Sequence, residues 1–173
     1  VSTTGNTETS STSGKLKSVY EVDKWRHTAR AEAFGQESQD SATGQTAVSA
    51  ERYLLSGKSD YKFTERDYAF GLIKLTKDRF SGFEYEHTLA AGYGRKAILR
   101  DDMELDLEIG PGVRFYKVDD APESEDEGVL RLAGKYWWQI SDSSRFTQDL
   151  AFDIGEEFTT SESITGLTAN INS

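Results

Sequence analysis

Residues 104–117 read ELDLEIGPGVRFYK. Glu104, Asp106 and Glu108 alternate with Leu105, Leu107 and Ile109, and Gly110-Pro111-Gly112 then interrupts the pattern. A period of two specifies a strand with one charged and one apolar face. In a strand of a water-soluble protein the leucines turn inward; in a barrel wall embedded in lipid the order is reversed. Pro111 sharpens the question, because a closed barrel has no edge on which a missing N–H is harmless. The expectation is a β-bulge or kink at Gly110-Pro111-Gly112, near the outer end of a membrane span where water reaches the orphaned carbonyl.

The alternation recurs along the chain. Segments 9–21, 24–36, 46–62, 68–78, 83–97, 103–118, 128–140, 145–158 and 162–172 read as strands, and none carries a 3.6-residue period. Segment 68–78 is ambiguous, since both faces are apolar until Lys74. Short polar turns fall at residues 22–24, 64–67, 100–102 and 141–144. Longer loops fall at 37–45, 79–82 and 119–127, with a smaller one near 159–161. Such alternation of short and long connections fits an up-and-down barrel with tight turns at one rim and longer loops at the other. If the turn at 22–24 is on the short-turn side, Val1 to Thr4 is the end of a preceding strand and Gly5-Asn6-Thr7 its turn.

Composition bounds the function. The 173 residues are 36% hydrophobic and 29% charged, with two prolines, fifteen glycines and no cysteine. They suit one domain, 1–173, and exclude disulfide and thiolate chemistry. No apolar run is long enough for a membrane helix, which leaves a barrel open. A net charge of −10 argues against nucleic acid as a partner.

Aromatic residues gather at two levels. Tyr20, Trp25, Tyr61, Phe63, Tyr68, Phe70, Trp137, Trp138 and Phe146 lie toward the short turns, and Phe34, Tyr53, Phe80, Phe83, Tyr85, Phe115, Tyr116 and Phe158 toward the long loops. Between them the apolar faces carry aliphatic or small residues such as Ala29, Ala31, Leu55, Leu89, Leu107 and Leu150, as in a lipid-facing belt between girdles. The opposite faces carry Arg26, Arg30, Glu32, Arg52, Lys58, Asp60, Glu104, Asp106, Glu108, Arg114, Arg131, Lys135, Asp149 and Asp153. These are candidate lumen-lining residues, with Glu104, Asp106 and Glu108 set to pair with Arg114, Arg131 and Lys135. If the apolar face instead covers a soluble core, the same charges are a solvated exterior, and the chain is a soluble or periplasmic barrel binding an apolar ligand.

Other chemistry is thinly represented. His27 and His87 fall on outward positions, and neither has a serine two residues away on its own strand; a partner on another strand stays open. The run from Asp119 to Glu127 supplies Asp119, Asp120, Glu123, Glu125, Asp126 and Glu127, weak candidates for a divalent ion shared with lipopolysaccharide phosphates, but lacks the spacing of a dedicated calcium loop. Gly92 and Gly94 read as packing or curvature positions. No phosphate loop or zinc spacing occurs, and no cofactor is expected.

The stretches TTGNTETSS (3–11), KWRHTARAEA (24–33), ERYLLSGKSDYKFTERDYAFG (51–71), DRFSGFEYEHTLAAGYGRK (78–96), LDLEIGPGVRF (105–115) and EGVLRLAGKYWWQISDSSRFTQDLAFDIG (127–155) together resemble the salt-induced outer-membrane proteins, a family catalogued as a domain of unknown function. The resemblance implies an all-β, antiparallel, up-and-down transmembrane β-barrel in a Gram-negative outer membrane, without enzymatic activity. Its implied partners are lipid, lipopolysaccharide and the barrel-assembly machinery, and its role a structural or salt-stress one, with a narrow ion or small-solute passage as an option. It also implies that the chain continues into further strands. About ten strands are expected here, and twelve, alternatively ten, in the intact protein.

Overall fold

In the computed structural model of the chain, residues 2–3, 7–40, 46–119 and 121–169 are described. Among them all regular structure is β. The strands are β1 (Ser2–Thr3), β2 (Thr7–Val22), β3 (Trp25–Asp40), β4 (Thr46–Lys62), β5 (Asp67–Asp78), β6 (Phe83–Leu99), β7 (Met103–Val118), β8 (Glu125–Ser141), β9 (Ser144–Ile154) and β10 (Thr159–Ala169). They form one antiparallel meander in chain order. β1 is a two-residue stub paired with Thr9 and Ser10 of β2, so nine full strands make the sheet.

Cross-sheet ion pairs show how strongly the sheet curls. Lys74 on β5 reaches Asp153 on β9 at 2.7 Å, and Arg30 on β3 reaches Glu162 on β10 at 2.6 Å. Four strands of a flat sheet span about 19 Å, beyond the reach of a lysine and an aspartate. The sheet is a half-barrel, and among the described residues no ladder joins β10 to β1 or β2.

Local chemistry explains the turns. Asp23 supplies a left-handed residue (φ 49°) between β2 and β3, a conformation that aspartate tolerates. The Thr64 hydroxyl accepts from the backbone N–H groups of Arg66 and Asp67, at 3.1 and 2.9 Å, before β5. The segments 46–62 and 103–118 coincide with β4 and β7. Other boundaries differ more: β3 runs on to Asp40 rather than ending at 36, because Glu37, Ser38 and Gln39 pair with Val48, Ala47 and Thr46 of β4. β8 begins at Glu125, because Glu125 and Glu127 pair with Tyr116 and Arg114 of β7. The last connection falls at 155–158 rather than 159–161, because Phe158 folds over the concave side and β10 starts directly after it.

Polarity is inverted relative to a soluble sheet. Asp60, Asp106, Arg114 and Asp153 are buried on the concave side, Arg114 completely, while Leu107 is 47% and Ile109 51% exposed on the convex side. Leu16, Leu55, Ile73, Leu89, Leu130 and Phe152 are likewise exposed. In β5 the ambiguity resolves with Tyr68, Phe70 and Lys74 inward and Ile73 outward.

The expected bulge at Pro111 is absent. The register with β8 runs unshifted through Gly110↔Arg131, Pro111↔Leu130 and Gly112↔Val129. On the β6 side Ala90↔Gly112 and Tyr93↔Ile109 keep one register, with the two intervening pairs missing and no residue inserted. Pro111 also lies near the middle of β7, not at an outer end. Two glycines on adjacent strands make the bulge unnecessary. A Cβ on Gly92 would lie 2.6 Å from Gly110 Cα, and one on Gly110 would lie 2.7 Å from Gly92 Cα. The backbones approach so closely that β6 and β7 pass the proline by breaking two bridges rather than adding a residue.

Gly92→Val is therefore expected to lower stability by on the order of 3 kcal/mol. Gly71→Ala, whose added methyl group meets nothing within 4 Å, should stay within about 0.5 kcal/mol. Denaturant midpoints of the refolded protein in detergent check both.

Candidate functional site

The concave face holds two linked groups of charges. The first centres on Tyr68, on β5. A Cβ on Gly94, its partner on β6, would fall within the Tyr68 ring, so this glycine leaves room for the ring to lie across its neighbour. The hydroxyl thereby reaches β7, where its single proton is donated to Asp106 (2.6 Å) or Glu108 (2.7 Å). Lys58 binds Glu108 and also Asp60 (2.8 Å), and Arg26 donates to Asp60 at 2.7 Å. The two cations lie 5.3 and 5.2 Å from the Tyr68 ring centroid.

The second centres on Arg114. Its guanidinium donates to Glu127 (2.8 Å) and to the backbone carbonyls of Phe158 (3.0 Å) and Asp153 (2.6 Å), and lies 4.1 Å from the Phe158 ring centroid. Glu127 also accepts the Glu157 N–H at 3.0 Å. The 155–158 turn is thus tied inward, and Phe158 packs against Phe83 and Tyr116 with centroids 5.0 and 5.1 Å apart. Asp153 links this end to the middle by accepting from Lys74 and Arg131, both at 2.7 Å.

The candidates read from the sequence distribute as follows. Arg26, Lys58, Asp60, Asp106 and Glu108 come together in the first group, and Arg114, Arg131 and Asp153 in the second. Arg30 and Glu32 bind each other at 2.7 Å. Glu104 meets Lys96 at 3.2 Å, and Arg52 is exposed opposite Asp78 at the loop rim. Lys135 stands opposite Asp106 on β7 and Asp149 on β9. The pairing expected between the β7 acids and Arg114, Arg131 and Lys135 does not form. Curvature brings β3, β4 and β5 over β7, so Arg26, Lys58 and Tyr68 take its carboxylates.

Sequence reading missed Tyr68, Phe70, Lys74, Tyr116 and Phe158 as inward groups, having assigned the aromatics to girdles. The signal available was Lys74, which shares the parity of Tyr68 and Phe70. Of the acidic run, Glu125 accepts from Tyr116 at 2.9 Å, Glu127 is buried, and Asp120 lies outside the described residues. Asp119, Glu123 and Asp126 are exposed, and among the described residues no group of three potential ligands is arranged to hold a metal ion.

On the convex face, His27 Nδ1 lies 2.8 Å from Ser59 Oγ on β4, the cross-strand contact that the sequence left open. Its ring stacks between Trp25 and Tyr20, at 5.7 and 6.5 Å. Both strands' amides are committed to ladders, so no oxyanion donors face the pair, and no carboxylate is among the hydrogen-bond partners of His27 in the described residues. The contact is a cross-strand hydrogen bond beside stacked rings. At the short-turn rim, hydroxyls of Tyr93 and Thr64 donate to Asp67.

The sequence matches, over residues 1–173, the family described as "Protein of unknown function, DUF481". The chain belongs to this family. It is also 33% identical over 169 residues to the uncharacterized protein YdiY of Escherichia coli (strain K12), an alignment covering 97% of the chain and 64% of that protein. The chain therefore spans less than two thirds of this relative's length. This agrees with the domain-of-unknown-function part of the resemblance read from the sequence.

In this member, Arg114→Ala leaves Glu127 buried without its cation and should cost about 3–5 kcal/mol. Lys117→Ala, which removes a surface pair with Glu84, should leave the midpoint nearly unchanged. Unfolding midpoints of the two variants in detergent measure the difference.

Proposed function

We propose that the chain forms most of the wall of a bacterial outer-membrane β-barrel with a structural role in an envelope under osmotic or salt stress, and without enzymatic activity. The observation that carries the reading is the inverted polarity. Leu107, Ile109, Leu89 and Phe152 stand exposed on the convex side while Asp60, Asp106, Arg114 and Asp153 are buried on the concave side. A convex apolar belt of this extent favours lipid over water. Trp25, Tyr61 and Phe63, packed in sequence with centroids 5.0 and 5.5 Å apart, suit one interfacial girdle. The unpaired edges leave place for further strands, and an even total of twelve closes the wall. Lipid and lipopolysaccharide are then the surroundings, and the barrel-assembly machinery the partner during insertion.

The interior favours a brace over a wide pore. Lys74–Asp153 and Arg30–Glu162 tie opposite walls, and Phe158 with Phe83 and Tyr116 fills the loop end, so any passage is narrow. The alternative, a soluble barrel holding an apolar ligand, needs an apolar chamber. Among the described residues the concave face instead carries small apolar clusters, Tyr68, Phe70 and Ala90 with Leu72, and Phe83, Tyr116 and Phe158, set among charges.

The complete mature protein, folded in detergent and reconstituted, should migrate differently on a gel before and after heating and give a closed trace in planar bilayers. A stable monomer without detergent contradicts the membrane reading, and large steady conductance contradicts the brace.

A further inference from the structure

We propose that the concave side holds a binding site for a small phosphate-class oxyanion, in a cavity of about 380 Å³ lined chiefly by β2, β3, β8, β9 and β10, with single residues or pairs from β4, β5 and β7. Six cations and four carboxylates line this cavity, a local excess of positive charge in a chain whose net charge is −10. Most cations of the cavity are held by partners, Lys15 by Glu32 at 3.7 Å among them; Lys17 on β2 and Lys135 on β8 form no ion pair among the described residues. Lys17, exposed, stands directly opposite Arg30 in the β2–β3 ladder, two like charges on adjacent strands. Arg30 is already engaged with Glu32 and Glu162, and Lys17 has no ion-pair partner among the described residues.

On the facing wall, Arg131 and Lys135 flank the small Ala133 on one face of β8. Arg131 spends its NH1 on Asp153, while its buried Nε has no hydrogen-bond partner. Lys135 likewise has no ion-pair partner among the described residues, although Asp106 and Asp149 stand opposite it in the two ladders. Lys17 on one wall, and on the other Arg131 Nε and Lys135 with the small Ala133 between them, give an oxyanion charge-assisted hydrogen bonds that the carboxylates of the chain do not supply. Phosphate chemistry suits the set because Arg and Lys donors together satisfy several oxygens at once. This inference shares with the proposed function only the assignment of the charged face as interior, and does not require a bilayer.

The test is calorimetric titration of the full-length protein, in phosphate-free buffer and neutral detergent, with inorganic phosphate. Saturable binding is expected. Lys17→Ala with Lys135→Ala should weaken it roughly tenfold or more, as loss of charge-assisted bonds implies. Asp149→Asn should tighten it, and Lys77→Ala, a cation outside the cavity, should leave it unchanged. If the double variant fails to refold, Lys135→Gln alone and Asp149→Asn decide the matter. A short-chain phosphatidic acid that displaces inorganic phosphate identifies a lipid headgroup as the natural source, and one that does not identifies the free ion. Absence of saturable binding, or undiminished binding in the lysine variants, overturns the site. A protein that binds phosphate yet stays monodisperse without detergent overturns the membrane reading and leaves the site standing.

Discussion

The constraint on which the rest of the structure depends is that the charged face lies inside the curve of the sheet, where Asp60, Asp106, Glu108, Glu127 and Asp153 are buried. Each carboxylate placed there must find a cation or a donor, because an unpaired buried charge is far costlier than an unpaired surface one. Asp60, Asp106, Glu108, Glu127 and Asp153 all meet this requirement, through Arg26, Lys58, Tyr68, Arg114, Lys74 and Arg131. Several of these contacts span non-adjacent strands, so satisfaction of charge and curvature of the sheet are one condition. A flat sheet would leave Lys74 and Asp153 apart; a one-residue slip would turn the β7 acids outward among the leucines.

Curvature in turn rests on small residues at chosen places. Gly92 and Gly110 let β6 and β7 close on each other, and Gly94 makes room for the Tyr68 ring to cross to β7. Bulky side chains at these positions would separate β6 from β7 and take Tyr68 away from Asp106 and Glu108. The same close approach explains how a proline sits in mid-strand. Two bridges to β6 are missing around Pro111, while the ladder to β8 is intact on either side of it.

The strand order, the turns and the division of each strand into two faces were legible in the sequence because they depend on local period and turn chemistry. Glu104, Asp106 and Glu108 alternate with Leu105, Leu107 and Ile109 whatever the neighbours do. Partner choice was not legible. Which cation meets Glu108 depends on how far the sheet bends, and the bend is set by glycine pairs on adjacent strands that no single segment displays. Tyr68, Phe70, Tyr116 and Phe158 were misassigned to girdles for a related reason. An aromatic ring near a strand end suits an interface equally well facing either way, and only the parity of Lys74 or the inward fold of residues 155–158 decides between them. Pro111 was misread because the cost of a missing N–H was weighed without the close approach of Gly92 to Gly110.

Since the chain has no cysteine, single cysteines carrying a spin label can be placed in turn at residues 104–110 with no background. In lipid vesicles, collision rates with oxygen and with a water-soluble nickel chelate report directly which face meets lipid. The account requires oxygen to dominate at Leu105, Leu107 and Ile109, with low rates for both reagents at the enclosed Asp106 and Glu108. Nickel collisions equal to or above oxygen collisions at Leu107 and Ile109 would place that face in water and contradict it.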